Sequence, residues 1–366
     1  MQESREASRT EARLLTDGNL ARLLIALQDK YQVFIPRKKN GQRFYARFTP
    51  PEIIGEGMFE RSGYCIGEVR AFEPLKAFFT RAREKVSEDF APDIPEGPGK
   101  PFCIVGVKAC DLKGFRVQDH VFQDHDFPDP LYLRSRQQNL IISADCTTAI
   151  DTCFCAALDV KPYPREGFDL NLSYTGGGWV VQAGSEKGSA LLREHGALFE
   201  EAGEELLREV AQQRAGVTHQ VESNVDQHRV PRQEELEGVV EKNFNSGLWS
   251  EEAETCVECG ACNTICPTCH CFLLFDQKRE DVMQRLRVWD SCLIKDFAKV
   301  AAGVNPRPRL WMRLRNRFEK KFDFFPRVAG VYACTGCGRC ISACPAKIDI
   351  REVLQRLVSD ARKQPV

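Results

Sequence analysis

The residues of this 366-residue sequence best equipped for chemistry are its seventeen cysteines, and eight of them form two matching runs. The first reads Cys256-x2-Cys259-x2-Cys262-x3-Cys266-Pro267, and the second repeats it as Cys334-x2-Cys337-x2-Cys340-x3-Cys344-Pro345. Spacings of two wrap three thiolates around a tight turn, so their sulfurs can converge on three irons of one small cluster while the fourth cysteine points away. In two-cluster ferredoxins that fourth thiolate crosses to the other cluster and ties the segments together. The spacing thus assigns Cys256, Cys259, Cys262 and Cys344 to one 4Fe-4S cluster, and Cys334, Cys337, Cys340 and Cys266 to a second. Zinc also takes four cysteines from Cys-x2-Cys pairs, but three consecutive spacings closed by Cys-Pro, twice over, favour iron and sulfur. Such clusters exchange single electrons and bind no substrate by themselves, so electron transfer is the expected activity.

A second constellation depends on topology. Phe102 to Val107 reads as a short buried strand, 111–122 as a helix and Leu140 to Ala144 as a second buried strand, the rhythm of a βαβ unit with parallel strands. Cys110 follows the first strand and Cys146 the second, so both emerge at the edge where open α/β sheets bind ligands. Cys153 and Cys155 lie in the loop just beyond. Four thiols on one loop-built site could hold a third 4Fe-4S cluster; buried free cysteines are also common small hydrophobes. Lys108, Asp111 and Lys113 flank Cys110 as groups that could hydrogen-bond or offset cluster charge, or be ordinary surface charge. Cys269-His270-Cys271 with Cys292 forms a weaker set, able to bind a metal or to exchange with a disulfide, or simply packed beside the clusters.

The elements that must position these residues can be read around them. Leu20, Leu23, Leu24 and Leu27 predict a first helix behind Gly18-Asn19. Residues 31–35 and 42–48 flank Lys38-Lys39-Asn40-Gly41 and predict a hairpin. Leu75, Phe78, Phe79, Ala82 and Val86 predict a second helix from Pro74, and the Pro/Gly-rich stretch 91–101 predicts a loop. A strand is expected over 179–183 and helices over 187–213 and 232–246. The polar stretch 216–231 reads as a boundary, and the insert 272–325 between the two cysteine runs reads as helical. Arg307, Arg309, Arg313, Arg315 and Arg317, interleaved with Leu310, Trp311, Leu314 and Phe318, predict an amphipathic helix whose cationic face is solvated or meets an acidic partner.

Composition excludes several classes. A formal charge of -1 and a pI near 6.6 provide no basic field to recruit nucleic acid or an anionic membrane. No run of about 18 apolar residues spans a bilayer, and MQESREASRTEARLL is polar, with no apolar signal segment. A reducing cytoplasm is expected, in an anaerobe, because exposed clusters are lost to oxidants. No G-x-G-x-x-G, G-x-x-x-x-G-K-[ST] or G-x-S-x-G turn occurs, so electrons are expected to arrive from and leave to other chains.

Ala109-Cys110-Asp111-Leu112-Lys113, Asp129-Pro130-Leu131-Tyr132, Cys146 with Cys153-Phe154-Cys155, Cys266-Pro267-Thr268-Cys269 and Trp289-Asp290-Ser291-Cys292 together resemble one family. It is the four-iron dicluster ferredoxin family that contains sulfhydrogenase beta subunits and the iron-sulfur subunit of anaerobic sulfite reductase. The resemblance runs from about residue 45 onward and implies a cytoplasmic, non-catalytic electron-transfer role within a larger complex. Such a chain works between a flavoprotein NAD(P)H-reductase subunit on one side and, on the other, a catalytic subunit of NiFe-hydrogenase or sulfite-reductase type. The alternative is an iron-sulfur enzyme acting itself on a disulfide or sulfur substrate at Cys269 and Cys271. The expected architecture is α+β: a tail and helix over 1–30, an α/β domain with a partly parallel sheet and the third cluster over 31–228, and an α-helical dicluster ferredoxin domain over 229–366.

Overall fold

The computed structural model describes residues 12–91 and 99–363. Most of the polar tail and most of the 91–101 loop therefore lie outside the described residues. Eleven strands are present among them: β1 (Arg13–Leu15), β2 (Gln32–Lys39), β3 (Gln42–Arg47), β4 (Arg83–Glu88), β5 (Phe102–Val107), β6 (Leu140–Ala144), β7 (Leu170–Thr175), β8 (Gly178–Ala183), β9 (Glu200–Glu201), β10 (Phe272–Arg279) and β11 (Val282–Trp289). Eight of them form a mixed sheet in the order β3-β2-β5-β6-β7-β8-β1-β9. Its centre is parallel, β2 on β5, β5 on β6 and β6 on β7, and its flanks are antiparallel.

Central strands covered on both faces need side chains that are apolar throughout, and every residue of β6 is buried. One face is covered by the Asp17–Leu27 helix, whose Leu20, Leu23, Leu24 and Leu27 pack on Val33, Ile35, Val105, Ile142 and Val181. The other is covered by the Ala109–Phe122 helix through Leu112, Phe115 and Phe122, against Ile104, Val107 and Ile141. Each such side chain fully removed from water contributes about 1.5–3 kcal/mol. The β2–β3 hairpin closes through Asn40 (φ 52°) and Gly41 (φ 75°), the left-handed pair that a two-residue turn requires.

Several local expectations are corrected. The predicted helix from Pro74 shrinks to one turn, Lys76–Phe79, after which the chain extends into β4. The insert between the cysteine runs opens with a β-hairpin, β10–β11, rather than helix. Its Leu, Gln, Met, Lys and Arg residues are good helix formers. Cross-strand partners decide otherwise: Asp276 pairs with Arg285 at 2.8 Å, and β11 binds β4, where Arg287 holds Glu84 at 2.5 Å and also pairs with Asp129. Residues 187–213 are not one helix but Glu186–Glu194, then β9, then the start of a helix over Glu204–Gln227. That last helix runs through most of the polar stretch 216–231, because Val210, Val217, Val221 and Val225 form a buried stripe along it. Over 232–246 only the short turns Gln233–Glu235 and Val239–Lys242 form.

The carboxyl-terminal region has its own core. Trp249, Phe318, Phe322, Val353, Leu354 and Leu357 are packed together, supplied largely by the helices Leu310–Glu319 and Ile350–Lys363. The first of these continues through a widened π-turn at Lys320–Phe324. Such turns re-aim side chains and recur at functional sites; this one carries Lys321 inward, where it is buried.

Candidate metal centres

The two cysteine runs fold alike. Glu258 (φ 57°) and Gly336 (φ 62°) occupy the same place after the first cysteine, and Gly260 (φ 69°) and Gly338 (φ 68°) follow two residues later. These left-handed residues curl the backbone so that amides point inward, the concave arrangement that binds anions. The Glu258 amide donates to Cys256 and the Gly336 amide to Cys334. Each turn then enters a short helix, Ala261–Thr264 or Arg339–Ala343.

Two hollows are ringed by cysteines. Cys256, Cys259 and Cys262 line the first together with Cys340 and Cys344 of the second run, beside Arg317. Cys110, Cys146, Cys153 and Cys155 line another with Cys337, Gly336 and Arg70. Cys110 and Cys146 reach it as expected, from the carboxyl ends of the adjacent parallel strands β5 and β6. The second run lies between the hollows. Cys266 of the first run sits within electrostatic reach of Cys334 and Cys340 there.

Burial pushes these thiols up, Cys146 and Cys340 to about 11 and Cys334 to about 12, against the opposing pull of Lys108, Arg317 and Lys321 respectively. Cys110 and Cys155 are raised well above the ordinary thiol value for the same reason. Thiols so placed stay protonated until a cation displaces the protons, and a coordinating metal does this outright. All seventeen cysteines are free thiols. A zinc ion, with Zn–S bonds of about 2.3 Å, would need its sulfurs drawn onto one point. Among the described residues no three His, Cys, Asp or Glu are gathered tightly enough to hold a single ion. Cysteines set around a hollow, with amides and buried cations facing it, are instead what an anionic group of several atoms requires. The residues therefore fit a 4Fe-4S cluster.

Residues 255–348 match the 4Fe-4S dicluster domain, a module for two 4Fe-4S clusters. Sulfhydrogenase 2 subunit beta of Pyrococcus furiosus is 33% identical over 292 residues, covering 79% of this chain and 84% of that protein. The chain belongs to the sulfhydrogenase beta-subunit family. The resemblance carried by the cysteine motifs is thereby confirmed, as is a mixed α/β architecture with a carboxyl-terminal dicluster region. Among the described residues no helix is long and apolar enough to cross a membrane.

In this family member the cations around the cysteines are the residues that motif reading missed. Lys321 Nζ donates to Cys266 Sγ at 3.3 Å, to Thr268 Oγ1 at 2.9 Å and to the Ala333 carbonyl at 2.8 Å. Arg317 is buried facing Cys262, Cys340, Cys269 and Cys266. Arg339 makes a fully buried pair with Asp111 at 2.7 Å, and Arg70 donates to the Cys337 carbonyl. Of the charges flanking Cys110, Lys108 and Asp111 are buried rather than surface groups, and Lys113 is half-buried. Lys108 Nζ donates to the carbonyls of Ile66, Ala144 and Asp145 at 2.7, 3.3 and 3.0 Å.

The cationic face drawn for the arginine segment is corrected too. Arg309 is exposed, but Arg313 and Arg317 point into the protein, where Arg313 binds the Leu293 carbonyl at 2.8 Å and Glu258 at 2.6 Å. Periodicity located the helix, but charge misassigned its face, because a partner for each guanidinium lay elsewhere in the chain. The Cys269–Cys271 pair is likewise redrawn. Cys269 lies on Cys266, whereas Cys271 meets Cys292. The cause is the β-hairpin: Phe272 pairs with Trp289, which brings the cysteines just outside that pair together.

Proposed function

We propose that the chain is the electron-relay subunit of a multi-subunit oxidoreductase. It passes single electrons between a flavoprotein subunit that handles NAD(P)H and a catalytic subunit of NiFe-hydrogenase or sulfite-reductase type. Cys256, Cys259, Cys262 and Cys344 hold one 4Fe-4S cluster, and Cys334, Cys337, Cys340 and Cys266 a second. Cys110, Cys146, Cys153 and Cys155 hold a third, at the carboxyl edge of an α/β domain that ends near residue 228. The bound clusters supply one-electron couples. The chain's own part is to exclude water, to fix their order and to set their potentials.

The observation that carries this reading is the placement of the second run. Cys340 lines the first hollow and Cys337 lines the other, so one short turn adjoins both. The contact is close: a Cβ on Gly336 would come within 2.4 Å of Cys155 Cα, and one on Gly338 within 2.0 Å of the Thr152 carbonyl oxygen. Only glycine lets the two loops meet, and their meeting makes the sites one continuous path. Arg317, Lys321, Arg70, Arg339 and Lys108 offset the negative charge that thiolate-bound clusters bring into a buried region. Anaerobic purification with iron and sulfide analysis tests the assignment: about twelve irons per chain are expected, and about eight would remove the third site. Subunits that co-purify identify the terminal reaction. Colourless protein holding zinc and no sulfide would end the proposal.

A further inference from the structure

Four thiols gather around one buried amide, that of Asn263. Its Nδ2 donates to Cys292 Sγ at 3.2 Å and to Ser291 Oγ at 3.0 Å, while its Oδ1 accepts from Cys269 Sγ at 3.7 Å and from Arg317 Nε at 2.8 Å. The thiols sort into two contacting pairs. Cys269 donates to Cys266, the crossing cysteine of the first run, while Cys271 donates to Cys292. The second pair belongs to neither cysteine run and to neither ringed hollow. It sits at the open end of the β10–β11 hairpin, where the Asp290 amide donates to the Cys271 carbonyl at 2.9 Å and fixes the two backbones side by side. A separate small cavity lined by Lys76, His270, Cys271, Trp289 and Asp290 adjoins it. Cys292 is buried and Cys271 half-buried, so one sulfur is shielded and its partner is within reach of solvent.

We propose that Cys271 and Cys292 are a redox-active dithiol that converts between two thiols and one disulfide, storing two electrons beside the cluster chain. This rests on the electron-relay reading above. In the oxidising direction the two S–H bonds break, one S–S bond forms, two protons leave through the adjoining cavity, and two electrons pass one at a time to two oxidised 4Fe-4S clusters. In the reducing direction two reduced clusters return the electrons, and the sulfurs take up two protons. The geometry suits both directions. Asn263 stabilises Cys292 as the thiolate, the reactive form of a cysteine, and Cys271 presents its S–H to it. Cys269 against Cys266 provides a short sulfur route from the same amide hub to the cysteine runs. The consequence is a relay that accepts electrons in pairs although each cluster takes only one.

The test uses the cluster-loaded full chain, poised anaerobically with thionine or with dithionite, then acid-quenched, unfolded and treated with iodoacetamide before peptide mass spectrometry. Cys271 and Cys292 are expected as one cross-linked peptide pair in the oxidised sample and as two alkylated cysteines in the reduced sample. Cys65 and Cys103 should be alkylated in both. Equal alkylation of Cys271 and Cys292 in the two samples would overturn the proposal. A reductive titration reads the same event as a count. Wild type should take up two electrons more per chain than the Cys271→Ser/Cys292→Ser double variant at unchanged iron and sulfide. Equal uptake overturns the store, and loss of iron from the variant overturns it in favour of a ligand role. Wild-type protein without iron and sulfide would instead bring down the relay reading on its own.

Discussion

The two cysteine runs share one local fold and differ in almost everything that touches it. In the first, the left-handed position is Glu258, free enough to carry a side chain that reaches Arg313. In the second it is Gly336, jammed against Cys155. The residue before the third cysteine is Ala261 in the first run and Arg339 in the second, the latter wholly buried on Asp111. Cys259 is exposed, whereas its counterpart Cys337 is buried between the loops of the α/β domain. The turn is thus fixed by cysteine spacing and backbone handedness, while its setting is fixed by whichever neighbour each run must join. The first run faces outward, and the second is a junction.

The sharpest way to break that comparison is Arg339→Met. Asp111 would be left as a buried carboxylate without its cation, and removing one partner of a buried pair costs about 3–5 kcal/mol. The Arg339 guanidinium also donates to the carbonyls of Ala71, Phe72 and Glu73, so the second run should detach from the sheet edge. Urea unfolding of the loaded protein should show the loss, with the third-site iron released first. Ala261→Met, at the matching position of the first run, should leave the Cys110 hollow intact. Equal loss of third-site iron in both variants would mean that the runs are not differently anchored.

Gly336→Ala follows. The left-handed conformation and the forced contact with Cys155 together cost about 2–4 kcal/mol, spent on separating the two loops. Iron should fall from about twelve to about eight per chain. Glu258→Ala, the same position in the first run, removes one ion pair from Arg313, which keeps its bonds to the carbonyls of Leu293, Arg307 and Pro308. It should cost about 1–2 kcal/mol and no iron.

Legibility in the sequence divides along the same line. The cysteine turns, the βαβ core and the convergence of Cys110 with Cys146 follow from local pattern and parallel topology, and both were readable. The hidden features depend on partners distant in the chain. Lys321 looks like one more surface lysine of a charged helix until the π-turn swings it onto Cys266. Arg313 and Arg317 read as solvent-facing because guanidinium groups are rarely buried unless paired, and their partners, Glu258 and Asn263, lie about fifty residues away. The β10–β11 hairpin was masked by good helix formers, and with it the meeting of Cys271 and Cys292. β4 was missed for the same reason: its hydrogen-bonding partner is contributed some two hundred residues later.

Lys321 offers a subtler contrast. Its ammonium touches Cys266, a proposed ligand of the second cluster, while Arg317 lies between the two groups of cysteines. A unit charge in contact, at an effective dielectric near 20, is worth a few kcal/mol, which for a one-electron couple is on the order of 100 mV. Lys321→Met should therefore make the second cluster harder to reduce by about that amount and shift the first much less. An anaerobic EPR-monitored redox titration resolves the two. Equal shifts would mean that Lys321 acts on the whole region rather than on one centre.

The smallest expected effect concerns acid. His270 follows Cys266 by four residues, and the matching place after Cys344 is Ile348, so only the first run carries a titrating ring there. Burial lowers His270 to about 4 from 6.5, and its Nδ1 faces the Thr268 carbonyl at 3.1 Å. A base whose folded value is depressed favours the fold in its neutral form. Its contribution is intact above the unfolded value of about 6.5 and is lost as pH falls toward about 4, where the unfolded chain binds the proton first. Between about pH 7 and about pH 5.5 that loss is about 1 kcal/mol. His270→Gln keeps a hydrogen-bond donor for Thr268 without the titration. Its urea midpoint should therefore fall less than that of wild type over the same interval, and a wild-type slope identical to the variant's would place the acid-sensitive group elsewhere.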